Sequence, residues 1–270
     1  MPHGSRDDGY RHEGTIQGVV HTWGVGSEVV FLSNPLANPV SWSSSVREEL
    51  LLRGYRVTTF EHRSTGDWRS AVDCVLEFLA DRRQRVALVG WSQGAAIAQE
   101  VALAAEDMVG AAVLIATYGR QNAIDRVLQQ AWAALPDGEN DPLRLAISFL
   151  TSFPPNRLAD DRFVERMCHL QPEWAGQPDA EARQRAASFI ATYQDRLSDL
   201  ENVRVPCLLM GFENDTDTFV SRAQEVAHAI RSAEYIELAG LGHAAPVSDP
   251  SRVWPIVTDF LSRIFPPAKV

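Results

Sequence analysis

Residues 86–99 read VALVGWSQGAAIAQ. An unbroken apolar run, Val86 to Val89, meets Gly90-Trp91-Ser92-Gln93-Gly94, and small and apolar residues at helical spacing follow at once. The pentapeptide is G-x-S-x-G set between a buried strand and a helix, the context a nucleophile elbow requires. A sharp strand–serine–helix turn forces the serine into a strained backbone conformation, and glycines on either side remove the clashes that side chains would make there. The turn lifts the hydroxyl out of the sheet, and the free N–H groups of the helix beneath it favour developing negative charge. Ser92 therefore reads as a nucleophile.

A serine hydroxyl is too weak an acid to attack unaided, so it needs a base and a group to orient that base. Among the histidines His3, His12, His21, His62, His169, His228 and His243, the last stands out. It follows Leu238-Ala239-Gly240-Leu241-Gly242, a glycine-rich loop just past a strand. His62, which ends another strand, is its rival; His3 and His12 sit in a polar tail and His228 in mid-helix. The acid belongs at another strand end, between serine and histidine in sequence. CLLMGFENDTDTF (207–219) supplies it, with Asp215 favoured over Asp217 and Glu213.

Those residues need a frame. Short apolar runs alternate with helix-period stretches, the pattern of a mainly parallel sheet covered on both faces. Strands are predicted over 18–23, 28–32, 55–60, 85–89, 110–116, 205–211 and 234–238. The first two are joined by a turn at 24–27, so that the sheet begins antiparallel. Helices are predicted over 43–53, 67–82, 93–105, 219–230 and 252–264. Residues 120–200 break the rhythm, with helical stretches at 123–134, 143–150, 161–169 and 180–197 and no convincing strand. This divides the chain into a core of 1–119 and 201–270 and a helical cap of 120–200. The aromatics Trp132, Phe149, Phe153, Trp174 and Tyr193 in that insertion, with Trp91 beside the serine, are candidates to line a substrate pocket or to pack against the core.

Composition removes other classes. The chain has 270 residues, 45% of them apolar, and a formal net charge of −10. It carries no arginine- or lysine-rich block, and Lys269 is its only lysine, so a nucleic-acid partner is not expected. The polar opening MPHGSRDDGYRHEG lacks a signal-peptide core, and runs such as VGAAVLIA are too short to span a bilayer. Cys74, Cys168 and Cys207 are odd in number and widely spaced, and read as buried or half-buried apolar residues in a reduced, cytoplasmic setting. Arg120, Arg126 and Arg157 could meet a substrate carboxylate, but surface solvation is the expected role of each.

The order Ser92, Asp215, His243, each just after a strand, resembles the α/β-hydrolase family from about Gly14 to Ile264. The resemblance implies an α/β fold with a mostly parallel sheet of the eight-stranded type, flanked by helices, and a helical cap inserted after the sixth strand. In the family the acid follows a strand-ending glycine and precedes a proline by four residues; Asp215 fits, with Phe219 in the proline's place. The histidine segment Gly242-His243-Ala244-Ala245-Pro246-Val247-Ser248-Asp249-Pro250 fits as well, and Glu61-His62-Arg63-Ser64-Thr65-Gly66 is similar to the family's arginine-glycine loop. Where members often carry His-Gly, this chain reads Ser33-Asn34-Pro35-Leu36-Ala37, closer to the enol-lactonase branch. If Asn34-Pro35 replaces His-Gly, the Leu36 and Gln93 N–H groups form the oxyanion hole and Asn34 adds a side-chain contact. One residue earlier, the donor falls on Pro35, which has no N–H.

The chemistry so implied is hydrolysis of an ester, lactone or related acyl bond of a fairly apolar small molecule, by a monomer or homodimer with no metal or organic cofactor. Haloalkane dehalogenases and the usual epoxide hydrolases need aspartate at the elbow, where Ser92 stands. Two rivals stay open: a biosynthetic tailoring enzyme on the same triad, opening a lactone or epoxide, cyclising, or cleaving a carbon–carbon bond; and a small-molecule receptor on the same fold.

Overall fold

Each apolar run of the sequence becomes a strand whose successive side chains enter opposite layers, and this alternation organises the molecule. The structure is a computed structural model that describes residues 10–14, 18–33, 36–62, 67–134, 142–174 and 180–267. Its strands are β1 (Arg11–Gly14), β2 (Gly18–Trp23), β3 (Ser27–Leu32), β4 (Tyr55–His62), β5 (Val86–Trp91), β6 (Val109–Ile115), β7 (Cys207–Phe212) and β8 (Ala233–Leu238). The helices up to β6 are α1 (Pro39–Trp42), α2 (Ser44–Leu52), α3 (Trp68–Ala80) and α4 (Gln93–Ala104). Between β6 and β7 come α5 (Ala123–Ala134), α6 (Pro142–Ser152), α7 (Pro155–Leu158), α8 (Asp161–Trp174), α9 (Ala180–Thr192) and α10 (Leu197–Leu200). Helices α11 (Val220–Ala229), α12 (Ala245–Ser248) and α13 (Pro250–Ile264) complete the chain.

The sheet has eight strands in the order β1-β2-β4-β3-β5-β6-β7-β8. β1 and β2 run antiparallel to their neighbours, and every pairing from β4 to β8 is parallel. On β5, Val86 and Leu88 join the layer under α3 and α4, while Ala87, Val89 and Trp91 join the layer under α1, α2 and α13. The same split recurs on β3, β6 and β7. Helix α4 is enclosed on all sides, with Gln93 to Ala102 buried throughout, which is why its sequence is so small and apolar.

The sheet does begin antiparallel, but not through a β2–β3 hairpin. β4 lies between them, and Val57 pairs with Trp23 on one side and Val29 on the other. The turn between β2 and β3 is a crossing, not a hairpin. Gly24 and Gly26 take φ of 71° and 116°, and a Cβ at Gly26 would sit 2.2 Å from the Gly54 carbonyl oxygen. The helix predicted over 43–53 is α2, and the separate short α1 ends just before it, its start capped by Asn38, which accepts from the Val40 and Ser41 amides. The stretch predicted over 180–197 stops at Thr192 and restarts as α10. β1 was not expected; its residues are polar, as suits an edge strand. Cys207 is buried and Cys74 half-buried, but Cys168 is exposed, because it lies on the outer face of α8 beside Glu165 and His169. No helix among the described residues is long and apolar enough to cross a membrane.

Candidate active site

Ser92, Asp215 and His243 all emerge at the carboxyl ends of parallel strands, after β5, β7 and β8. That edge is where open α/β sheets place ligands. Ser92 has φ 56° and ψ −123°, a conformation non-glycine residues rarely take, and its N–H donates to the Ile115 carbonyl at 2.8 Å. The flanking glycines hold that turn against backbone. A Cβ at Gly90 would lie 2.4 Å from the Gly94 carbonyl oxygen, and one at Gly94 would lie 2.1 Å from the Leu32 carbonyl oxygen. Neither obstacle is a side chain that could swing away. Gly94→Ala should therefore destabilise the protein by about 3 kcal/mol, read as a lowered denaturation midpoint at unchanged slope.

The acid loop is built around Asp215, which is 4% exposed. Its Oδ1 accepts from the backbone N–H of Asp217 at 3.0 Å and of Thr218 at 2.8 Å. Its Oδ2 accepts from His243 Nδ1 at 2.8 Å. An ionised carboxylate only accepts, so this contact puts the Nδ1 proton on His243. Thr218 Oγ1 lies 3.1 Å from the same nitrogen. The other imidazole nitrogen, Nε2, meets the Asp217 carboxylate at 3.3 Å; among the described residues Ser92 Oγ is not hydrogen-bonded to it.

The three acidic candidates of the 207–219 stretch are thus separated by contact. Asp215 holds Nδ1, Asp217 faces Nε2, and Glu213 accepts from the Gly240 N–H at 2.8 Å, tying the acid loop to the turn after β8. Burial pulls the His243 pKa down, but the two carboxylates outweigh it and push it up to about 9. Burial also pushes the Asp217 carboxyl up, against the pull of His243, with Asp215 and Asp125 adding to the rise. The rival His62 is buried on β4, where burial and the Arg185 guanidinium lower it to about 4. Its charged neighbour is a cation, the opposite of what orients a catalytic base.

The histidine loop is gripped from two sides. Trp91, the residue before Ser92, donates its indole N–H to the His243 carbonyl at 3.1 Å, and its ring lies 5.7 Å from the imidazole. The end of α6 clasps both loops. The Ser152 carbonyl accepts from the Ala244 N–H at 3.1 Å, and the Leu150 and Thr151 carbonyls accept from Thr216 Oγ1 at 3.1 and 3.2 Å. Sequence reasoning missed Thr216 and Thr218. Asp215 accepting from the amides two and three residues on is an Asx turn, and the run of Asp and Thr was the available signal for it.

Of the candidate pocket residues, Phe149 and Phe153 lie in the packed layer that also holds Trp91, with Phe153 edge-on to both Phe149 and Phe163 at 5.2 Å. Trp132, on α5, has the Arg144 guanidinium 5.7 Å over its ring. Tyr193 donates to Glu100 Oε1 at 2.8 Å in a buried network with Gln99 and Arg196 that ties α4 to the α9–α10 segment. Gln93 opens the first turn of α4, where N–H groups have no intrahelical acceptor. Its side-chain Nε2 is buried without a hydrogen-bond partner among the described residues. Leu36 is half-buried in a turn. Asn34 and Pro35, which decide the oxyanion register, and the Arg63–Gly66 loop lie outside the described residues, as does the Trp174 side chain. No group of three or more metal-ligating side chains occurs among the described residues.

Known proteins match this chain in sequence and in fold. Residues 19–255 match the Alpha/beta hydrolase family. The chain is 28% identical over 255 residues to a Mycobacterium tuberculosis protein named "Putative non-heme bromoperoxidase BpoC", covering 89% of this chain and 96% of that one. The crystal structure of that protein superposes with a TM-score of 0.84 at 25% identity, over 94% of this chain and 98% of the other. The enol-lactonase from Burkholderia xenovorans LB400 gives a TM-score of 0.77 at 18% identity, over 93% of this chain and all of that one, a likeness of fold. With its strand order and the span of the family match, the chain belongs to the alpha/beta hydrolase family of enzymes.

Proposed function

We propose that the protein hydrolyses a carboxylic ester, lactone or related acyl bond of a small, fairly apolar molecule, with Ser92 as nucleophile, His243 as general base and Asp215 as the residue that orients it. The observation that carries this reading is the Asp215–His243 contact of 2.8 Å at the sheet edge that also presents a serine held at φ 56°. In the first step His243 Nε2 takes the Ser92 proton while Oγ attacks the acyl carbon. The Gln93 and Leu36 N–H groups stabilise the resulting oxyanion. Collapse of the tetrahedral intermediate expels the leaving group, protonated by His243, and leaves an acyl-serine. Water, activated by the same imidazole, then releases the acid.

The test is an uncharged fluorophosphonate ester followed by peptide mass spectrometry. The expected result is one adduct, on Ser92, in the native protein. Its rate should climb with pH through about 9, because His243 takes the serine proton only when neutral and its neighbours hold it protonated below that. A folded protein that acquires no adduct at any pH overturns the acyl-transfer reading.

A further inference from the structure

The Asp217 carboxylate has no part in the reaction just described, yet it occupies the side of the imidazole on which that reaction takes place. We infer that Asp217 is a specificity-determining residue of this site, selecting substrates whose leaving group carries a cationic ammonium and disfavouring those that carry a carboxylate there. The inference rests on the acyl-transfer reading and names the substrate class for it.

The geometry runs through Nε2. That atom must hand its proton to the leaving oxygen or sulfur, so the leaving group passes within hydrogen-bond distance of it. Asp217 Oδ2 is 3.3 Å from the same atom, which puts it in contact with whatever the leaving atom carries. The Asp217 side chain is 34% exposed, against 2% for Asp215, so it reaches the open side of the ring while Asp215 lies behind it. Before attack His243 must be neutral, and Asp217 then loses its cationic partner. Asp215 keeps two backbone donors, but among the described residues no such pair holds the side chain of Asp217. An ammonium on the substrate restores the charge that the imidazole gives up.

The surroundings favour a cation for the same reason. Asp215 and, from α5, Asp125 repel negative charge at Asp217. The Tyr118 hydroxyl, close enough for Asp217 to raise its pKa, is buried and has no hydrogen-bond partner among the described residues. Of the three arginines that could have welcomed a carboxylate, Arg120 binds Glu225 at 2.8 Å and Arg157 binds Asp249 at 2.9 Å, while Arg126 is exposed on α5.

Three thioacetates that differ only in the leaving group test this: 2-(trimethylammonio)ethyl, its uncharged isostere 3,3-dimethylbutyl, and 2-carboxyethyl. The ammonium ester should exceed its isostere by about 10-fold in kcat/KM at low salt, with the carboxylate slowest, and the margin should shrink as salt rises. In Asp217→Asn the ammonium-to-isostere ratio should fall to about one, and in Asp217→Glu it should persist. Each ratio is taken within a single variant, so a change in folding or in overall rate cancels. A flat ratio in the native protein, or a ratio that survives Asp217→Asn, overturns the inference. If Ser92 still labels with the uncharged fluorophosphonate in either case, the acyl-transfer reading stands without it. A folded protein that neither labels nor turns over any of the three esters ends both.

Discussion

Ser92→Ala should lower kcat for an activated ester by about 10⁶-fold, His243→Ala by nearly as much, and the double variant by little more than either alone. The expectation follows from how the two groups depend on each other. Without the imidazole the Ser92 hydroxyl keeps its proton, and without the hydroxyl the imidazole has no nucleophile to activate. What remains in every variant is the charge stabilisation offered by the first turn of α4, so residual rates should still exceed that of water by about 10³-fold. The fold should survive the serine change. Alanine keeps the same Cβ at the same backbone conformation, and the turn is held by Gly90 and Gly94 against backbone and by the Ser92 N–H on Ile115. Single-turnover release of nitrophenol from the three variants decides the matter. Losses that multiply in the double variant would mean that Ser92 and His243 act separately, and would overturn the shared mechanism.

The candidate residues of this site were legible because each chemical group lies in the turn or loop that follows a strand-like stretch. Ser92 comes after Val86–Val89, Asp215 after CLLMGF, and His243 after the strand that ends at Leu238. Strand order was less legible. The glycines of 24–27 announce a change of direction, but whether the next strand pairs with the last depends on which strand is drawn between them, and β4 takes that place by long-range pairing with both. Polar β1 carries no apolar signal at all. Spacing favours Asp215 among Glu213, Asp215 and Asp217, but what each carboxylate touches could not come from sequence. All three sit on one loop, and what separates them is which way the imidazole turns and which amide each carboxylate reaches. The aromatics of 120–200 were visible as a group, but Phe149 and Phe153 differ from Trp132 only through packing, with the first two inside the aromatic layer and the third under an arginine.

Asp215→Asn should cost about 10⁴-fold in kcat while leaving the protein folded and the imidazole in place. The carboxamide is nearly isosteric, and its oxygen can still accept from the Asp217 and Thr218 amides as Oδ1 does now. That arrangement turns the NH₂ group toward His243 Nδ1. Nδ1 must then accept, so the neutral ring carries its proton on Nε2, where the base is required to be bare. The substitution therefore leaves the geometry intact but reverses the tautomer, and it also removes the largest of the influences that raise the His243 pKa. Two readouts separate this from a merely structural loss. The midpoint of the rise in kcat/KM with pH should drop from about 9, because less negative charge holds the imidazole protonated. KM should change little, because Asp215 lies behind the ring, away from the substrate. Asp217→Asn should also lower that midpoint, since Asp217 is the second carboxylate that raises it, but it leaves the Nδ1 proton directed at Asp215 and so should keep most of the rate. If the two variants lose kcat equally, Asp215 is not the residue that sets the tautomer, and the roles of the two carboxylates on the imidazole must be exchanged.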